Sequence, residues 1–286
     1  MVEPLIRNIS DTARWAALYR ARETERSDAI FRDPCERRLA GERGEDIANE
    51  IQFSTKHSWS WIARTYLFDQ FLLDALRNGY DMVINLAAGL DARPYRMDLP
   101  ATLEWIEVDL PEILAYKEEV LTADVPNCQL ERIPLDLSNV SSRRELFDQL
   151  GRRCDKAVIM TEGLIIYFPD NEVAAFAADL QAQSTFRRWI LDLASPGLLK
   201  MLKEKMGKQM GDEAVLKFAP ANGVDFFREF DWKPIAVRSQ LKTAGKLKRL
   251  PLLMKLLAPL TPDCPTEQQA KKPWGGVVVL EHETKT

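Results

Sequence analysis

The chain has 286 residues, 46% hydrophobic and 29% charged, with a formal net charge of −4. That length and apolar share allow a large buried core, and the acidic balance excludes a general nucleic-acid binder, which needs a basic face. Cys35, Cys128, Cys154 and Cys264 are scattered without metal or redox spacing, and with only His57 and His282 besides, reduced thiols and no metal site are expected. The start, MVEPLIRN, lacks a charged-then-apolar leader pattern and no apolar run approaches membrane-spanning length, so the expected location is the cytoplasm, with no membrane insertion.

In chain order, residues 11–29 and 58–76 read as helices, the second with Phe68, Phe71, Leu72, Ala75 and Leu76 on one face and Gly79 near its end. They precede the first strand and form an amino-terminal addition. MVINLAA, residues 82–88, is apolar, β-branched and too short for a good helix, as expected of a parallel strand buried on both faces. TLEWIEVDL, residues 102–110, gives a second strand, and Pro111 opens a helix running to about Leu121. A third strand covers 129–135, and Ser142 with Glu145 forms a capping box for a helix bearing Leu146 and Leu150 and ending at Gly151. KAVIMTEG, 156–163, is the fourth strand, and Val173, Phe176, Ala177 and Leu180 stripe a helix before the fifth, RWILDLA, 188–194. Two later strands cover 232–238 and 276–282. Strands alternating with helices predict an α/β, doubly wound, mostly parallel sheet. No repeat or flexible linker divides the chain, so 1–286 reads as one domain: a helical addition over 1–80, a cofactor-binding core over 81–195, and a substrate cap with the last strands over 196–286.

The most informative stretch is NLAAGLDARPYR, residues 85–96, followed by the acids Glu107 and Asp109 about twenty residues on. Ala87, Ala88 and Gly89 carry almost no side chain, so a ligand can approach the backbone where it leaves the sheet. An acid at the next strand end can accept from both ribose hydroxyls of a nucleoside. A dinucleotide also needs G-x-G-x-x-G, whereas Leu90, Asp91, Ala92, Arg93 and Pro94 follow Gly89 here. That is a poor diphosphate cradle, and Asp91 would repel one. A nucleoside carrying an amino acid instead has an ammonium for Asp91 and a carboxylate for an arginine. S-adenosylmethionine is such a molecule.

NLAAGLDARPYR, EVDLP, IPLDL at 133–137 and TEGLIIYF at 161–168 resemble the leucine carboxyl methyltransferase and polyketide O-methyltransferase group of class I S-adenosylmethionine-dependent enzymes. The likeness extends to residues 11–34, 218–227 and 273–281, and so covers most of the chain. Ala87 stands where members often carry Gly, and Ala92 where they carry Thr. The resemblance implies a seven-stranded Rossmann-like sheet with its last strand antiparallel between the fifth and sixth. It also implies a cofactor held by Ala87, Gly89, Asp109 on the ribose, Asp136 and Leu137 beside the adenine, and Glu162 near the methionine ammonium. Arg22 and Arg64 would reach the methionine carboxylate from the amino-terminal helices, making the addition part of the site and a lid.

No catalytic residue is legible. His57 beside Trp59 and Trp61 reads either as a base at an aromatic wall or as a packed histidine, Tyr167 either faces the acceptor or packs in the core, and Arg93 either binds the methionine carboxylate or pairs with Asp91. A carboxylate acceptor needs no general base whereas a phenol does, so the expected reaction is O-methyl transfer to a small-molecule carboxylate or hydroxyl, the acceptor apolar or aromatic. The alternatives are a protein C-terminal carboxyl methyltransferase, a non-catalytic S-adenosylmethionine-binding protein, and a nicotinamide oxidoreductase, the last disfavoured by the missing glycine fingerprint. Residues 241–257 carry Lys242, Lys246, Lys248, Arg249 and Lys255 among leucines, interrupted by Pro251. They read as a helix capping the substrate cavity, with an amphipathic membrane contact as the alternative.

Overall fold

Strand β1, Met82–Leu86, is buried along its whole length, as a run apolar at every position but Asn85 demands. It lies at the centre of the sheet in a computed structural model that describes residues 5–6, 9–51, 57–207, 209–211 and 214–282. On one side it pairs in parallel with β2, Glu104–Asp109, and on the other with β4, Ala157–Thr161, so that Ile84 sits level with Ile106 and Ile159. With β3 (Gln129–Pro134), β5 (Phe186–Ala194), β6 (Trp232–Ser239) and β7 (Gly275–His282), the sheet has seven strands in the order β3-β2-β1-β4-β5-β7-β6. β7 runs antiparallel between β5 and β6, as the resemblance implied.

Helices cover both faces. Before β1 come α1, Ile9–Thr24, α2, Glu36–Glu50, and α3, Trp59–Arg77. A single turn, α4 (Arg93–Arg96), follows β1. Then come α5 (Pro111–Val120), α6 (Val140–Gly151), α7 (Asp170–Gln181), α8 (Pro196–Met206), α9 (Gln240–Lys246) and α10 (Leu252–Leu257). Alternation along β1 divides its side chains: Met82, Ile84 and Leu86 join a core with Phe147 of α6 and Phe176 of α7, whereas Val83 joins Leu67, Phe68 and Leu72 of α3. A third cluster joins α1 and α2 to Leu90, Ala92 and Ile113, and this seats the amino-terminal helices over the carboxyl ends of β1 and β2.

Several local expectations need correction. The first helix stops at Thr24, not at 29, because Thr24 and Glu23 turn back to accept N–H bonds from Asp33 and Ile30. The capping box at Ser142 and Glu145 does not form. Asn139 caps α6 instead, its side chain accepting from the Ser142 N–H at 3.1 Å, while Glu145 accepts from Gln149 within the helix. Helices α2 and α8 were not foreseen. α2 is broken by Gly41 at φ +58°, which disrupts any helical period. Residues 241–257 form two short helices on either side of Pro251 rather than one.

Candidate functional site

Where β1 ends, the chain makes a turn pinned by its own side chains. Asn85 Nδ2 donates to Asp91 Oδ2 at 2.9 Å, and Asp91 Oδ1 accepts from the Arg93 N–H at 2.9 Å. Ala87 and Gly89 both take left-handed backbone angles, φ +54° and +50°. At Gly89 a Cβ would sit 3.3 Å from the Ala13 Cβ, because α1 passes directly over the turn. Ala87 holds this conformation at a cost of about 1–2 kcal/mol, against about 0.4–1 kcal/mol gained by restricting the unfolded chain. Ala87→Gly is therefore expected to stabilise the protein by roughly 0.5–1 kcal/mol, read as a raised urea midpoint. A lowered midpoint would mean that the Ala87 methyl contributes more by packing than the backbone loses.

Over this turn lies a cavity of about 170 Å³. Its floor is the strand ends: Asn85 and Ala87 to Asp91 at the end of β1, Asp109 and Leu110 at the end of β2, Leu135 to Ser138 after β3 and Glu162 to Leu164 after β4. That is where an open parallel sheet binds its ligand. Its roof is α1, through Ala13, Ala16 and Arg20, and α3, through Trp61 and Arg64.

Of the two acids on β2, one is already committed. Glu107 is fully buried and pairs with Lys117 at 2.7 Å and Arg132 at 2.9 Å. Asp109, at the strand's last position, lines the cavity and accepts from the N–H groups of Gly89 at 2.6 Å and Leu110 at 2.7 Å. Each carboxylate oxygen has two acceptor positions and here uses one on the backbone, which leaves two for a pair of hydroxyls. Burial pushes the Asp109 carboxyl above its ordinary value, opposed by those two backbone bonds and by Lys117.

Behind the cavity runs a buried ion network. Arg93, 1% exposed, pairs with Asp69 at 2.7 Å, Asp91 at 2.6 Å and Glu162 at 2.9 Å, and Arg96 joins Asp69 to Asp33. Arg64 pairs with Glu162 at 3.0 Å and Asp192 at 3.4 Å, and its guanidinium lies 4.7 Å from the Trp61 ring centroid. The Gly163 N–H donates to Asp192 at 2.6 Å. Arg20 is bound to Glu36 and to the Leu90 carbonyl. Four arginines thus meet six carboxylates (Asp33, Glu36, Asp69, Asp91, Glu162 and Asp192); burial pushes Glu36 up to about 8, and with it taken as neutral five carboxylates still face four arginines, an excess of negative charge suited to a cationic ligand.

Burial works to raise the Glu162 carboxyl, but Arg93, Arg64 and Arg20 outweigh it and hold the group below its ordinary value. A depressed carboxylate adds stability that is complete above the ordinary glutamate value and is lost as pH falls through the depressed one. On acidification below about pH 4, the wild-type melting temperature is therefore expected to fall more steeply than that of Glu162→Gln. Parallel curves would mean that the ion pairs contribute nothing net.

The cavity gathers Arg64, Ala87, Gly89, Asp109, Asp136, Leu137 and Glu162, seven of the expected cofactor contacts. Arg22 is not among them. It pairs with Glu45 of α2 at 2.7 Å, and Arg20 takes its place. Helical geometry gives the reason: at 100° per residue Arg20 lies about 20° from the cavity-facing Ala13 and Arg22 about 180° away. Arg93 settles as the internal partner of Asp91, and His57 lies outside the lining while Trp61 and Tyr167 belong to it. Among the described residues none beyond Phe168 lines the cavity, so 241–257 does not cap it. Its leucines after Pro251 lie on the surface, Leu252 and Leu253 being 80% and 81% exposed, whereas Leu250 before it is buried. Asp192 was missed, although a lone acid within WILDLA was a visible signal.

Comparison with known proteins agrees with this geometry. Residues 13–181 match the family model described as leucine carboxyl methyltransferase. A protein of Mycobacteroides abscessus named as a candidate S-adenosyl-L-methionine-dependent methyltransferase is 31% identical over 224 residues, covering 72% of this chain and 69% of its own. One of the same description from Parafrankia sp. (strain EAN1pec) is 30% identical over 218 residues, covering 72% and 67%. Among solved structures, the DUF574-family protein of Streptomyces avermitilis MA-4680 superposes with a TM-score of 0.53 at 12% identity over 95% of this chain and 97% of its own. A candidate methyltransferase of Thermobifida fusca YX gives 0.50 at 15% over 98% and 96%, and both share the fold. The family match over more than half of the chain, on a sheet with its β7 strand antiparallel between β5 and β6, establishes that the protein belongs to the leucine carboxyl methyltransferase family of class I S-adenosylmethionine-dependent methyltransferases.

Proposed function

We propose that the protein methylates an oxygen of a small apolar or aromatic acceptor, a carboxylic acid in preference to a phenol or alcohol. The observation that carries this reading is the set of ionisable groups around the cavity. Among the described residues these are Arg20, Arg64, Asp91, Asp109, Asp136, Glu162 and Tyr167, with no histidine, lysine or cysteine. Burial moves the Tyr167 hydroxyl further up from its ordinary value, so it is a poor base near neutral pH. A carboxylate arrives ionised and needs no proton removed, whereas a phenol does.

Bound S-adenosylmethionine supplies a methyl group activated by its sulfonium. In this reading Asp109 accepts from the ribose hydroxyls and Asp136, exposed at the end of β3, from the adenine amine, with Leu137 packed beneath. Glu162 and Asp91 face the ammonium, and Arg64 and Arg20 hold the methionine carboxylate. The small side chains of Ala87 and Ala88 leave room for close approach. Helix α1, with Ala13 and Ala16 over the floor, excludes water and closes as a lid. Trp61, Tyr167 and Phe168 offer an apolar wall to the acceptor.

The test is to incubate the protein with S-adenosylmethionine and a panel of aromatic and aliphatic acids, their phenol and alcohol counterparts, and a peptide with a free C-terminal carboxylate, following S-adenosylhomocysteine and product mass. Base-labile methyl esters from small acids, faster than ethers from phenols, are expected. Faster turnover of the phenols would contradict the acid preference, and turnover of the peptide alone would assign the reaction to protein carboxyl termini.

A further inference from the structure

Residues 241–257, expected to cap the cavity, do not line it, and the surface from 241 to 260 is unlike the rest of the chain. Leu252, Leu253, Leu256, Leu257 and Leu260 are 80%, 81%, 75%, 58% and 81% exposed, five of the nine large hydrophobics exposed among the described residues. They are held outward by construction. Met254 and Ala258, one helical turn apart, pack α10 down onto Ala244 and Leu250 and against Ala63 and Trp59 of α3, so the leucines occupy the remaining faces.

Charge around this patch is one-sided. From Trp232 to Pro262 the sequence carries no acidic residue but seven basic ones, in a chain whose net charge is −4. Lys242 pairs with Asp263 at 2.9 Å, and Arg249 with Glu23 at 2.7 Å, fastening the segment to α1. Lys246, Lys248 and Lys255, next to the leucines, are exposed.

We propose that this face is an interfacial anchor that docks on an anionic lipid bilayer, with the α10 leucines in the acyl boundary and Lys246, Lys248 and Lys255 among the headgroups. The two halves of the patch each select part of the partner. The leucines need an apolar phase, which a nucleic acid lacks, and the lysines need negative charge, which neutral lipid lacks. A second copy of the chain on a two-fold axis would set the same lysines against one another, a like-charge contact that costs affinity. No described helix is long and apolar enough to cross a membrane, so the contact is peripheral. The anchor and the cavity share α3, which carries Trp59 beneath α10 and, two residues on and nearly opposite around the helix, Trp61 in the cavity wall.

The experiment is vesicle co-sedimentation of the full chain, comparing phosphatidylcholine alone with phosphatidylcholine carrying about 30% phosphatidylglycerol, at low and high salt. The wild type is expected to partition onto the anionic vesicles and to be released by salt, with little on the neutral ones. Leu253→Glu with Leu257→Glu, and separately Lys246→Gln, Lys248→Gln and Lys255→Gln together, are each expected to lower the partition about tenfold or more. Because these side chains lie on the surface, both variants should keep the wild-type melting temperature and S-adenosylmethionine affinity, which separates loss of docking from loss of fold. Absence of wild-type binding, equal binding to both vesicle types, or full binding by the double-Glu variant would overturn the proposal. So would a concentration-dependent dimer in ultracentrifugation that the double-Glu variant abolishes without any vesicle binding, since that would make a second copy the occupant.

Discussion

Replacing Asp109 by alanine is expected to weaken S-adenosylmethionine binding by about 1.5–3 kcal/mol, roughly 10- to 150-fold, without unfolding the protein. The size follows from what the carboxylate does. It ends β2 at the cavity floor, it keeps two acceptor positions beyond those used by Gly89 and Leu110, and hydrogen bonds to a charged group are the stronger class. The substitution also frees the Gly89 N–H, loosening the turn that the ligand approaches. Calorimetric titration of both proteins measures the ratio, with the melting temperature as the control for folding. An unchanged affinity would remove Asp109 from the ribose and leave Glu107, already held by Lys117 and Arg132, as an inadequate substitute. Affinity is also expected to decline on acidification at a higher pH than an ordinary aspartate would dictate. Burial has raised this carboxyl, and protonation removes an acceptor.

The largest stability effect should come from Arg93. Arg93→Met keeps much of the side chain's length and its neighbourhood to the Phe68 ring but strands Asp69, Asp91 and Glu162 around an apolar group. Removing one member of a buried ion cluster costs about 3–5 kcal/mol because the partners are left charged and unpaired. Urea unfolding gives the number. A loss below about 1 kcal/mol would mean that Arg64 and Arg96 neutralise the three carboxylates without it. Such a cost in a binding site is consistent with its use. Glu162, one of the three, holds Arg64 over Trp61, and together the three concentrate negative charge beside the cavity, with Arg93 fixing them in place.

The sheet and most of the floor were legible in the sequence because both depend on local signals. β1 and β4 are short, mostly apolar runs, each with a single polar residue (Asn85, Thr161), and β5 has an apolar centre, WIL, between Arg188 and Asp192; runs of that kind have few alternatives to a buried parallel strand. The floor residues sit at strand ends, which the turn residues Ala87 to Gly89 and the acids Asp109 and Asp136 mark directly. The roof was less legible because it depends on which side of a helix meets the sheet. Arg22 and Arg20 are two residues apart and nearly opposite around α1, and only the packing of Ala13 and Ala16 over the turn chooses between them. The Arg64–Asp192 pair and the Arg93 network are products of tertiary contact between residues from 33 to 192, so that an acid such as Asp192 is visible in the sequence but no spacing announces its partner. The leucines after Pro251 have the period of a buried face, and the same period serves a surface made for another apolar phase.

The cavity over β1, β2, β3 and β4 is expected to hold S-adenosylmethionine and not a dinucleotide. The most direct test is calorimetric titration of the folded, ligand-stripped protein with S-adenosylmethionine, S-adenosylhomocysteine and NADH. Micromolar binding of both sulfur compounds with no heat from NADH is the predicted result. Binding of NADH, or silence from both sulfur compounds in protein that still melts cooperatively, would contradict it.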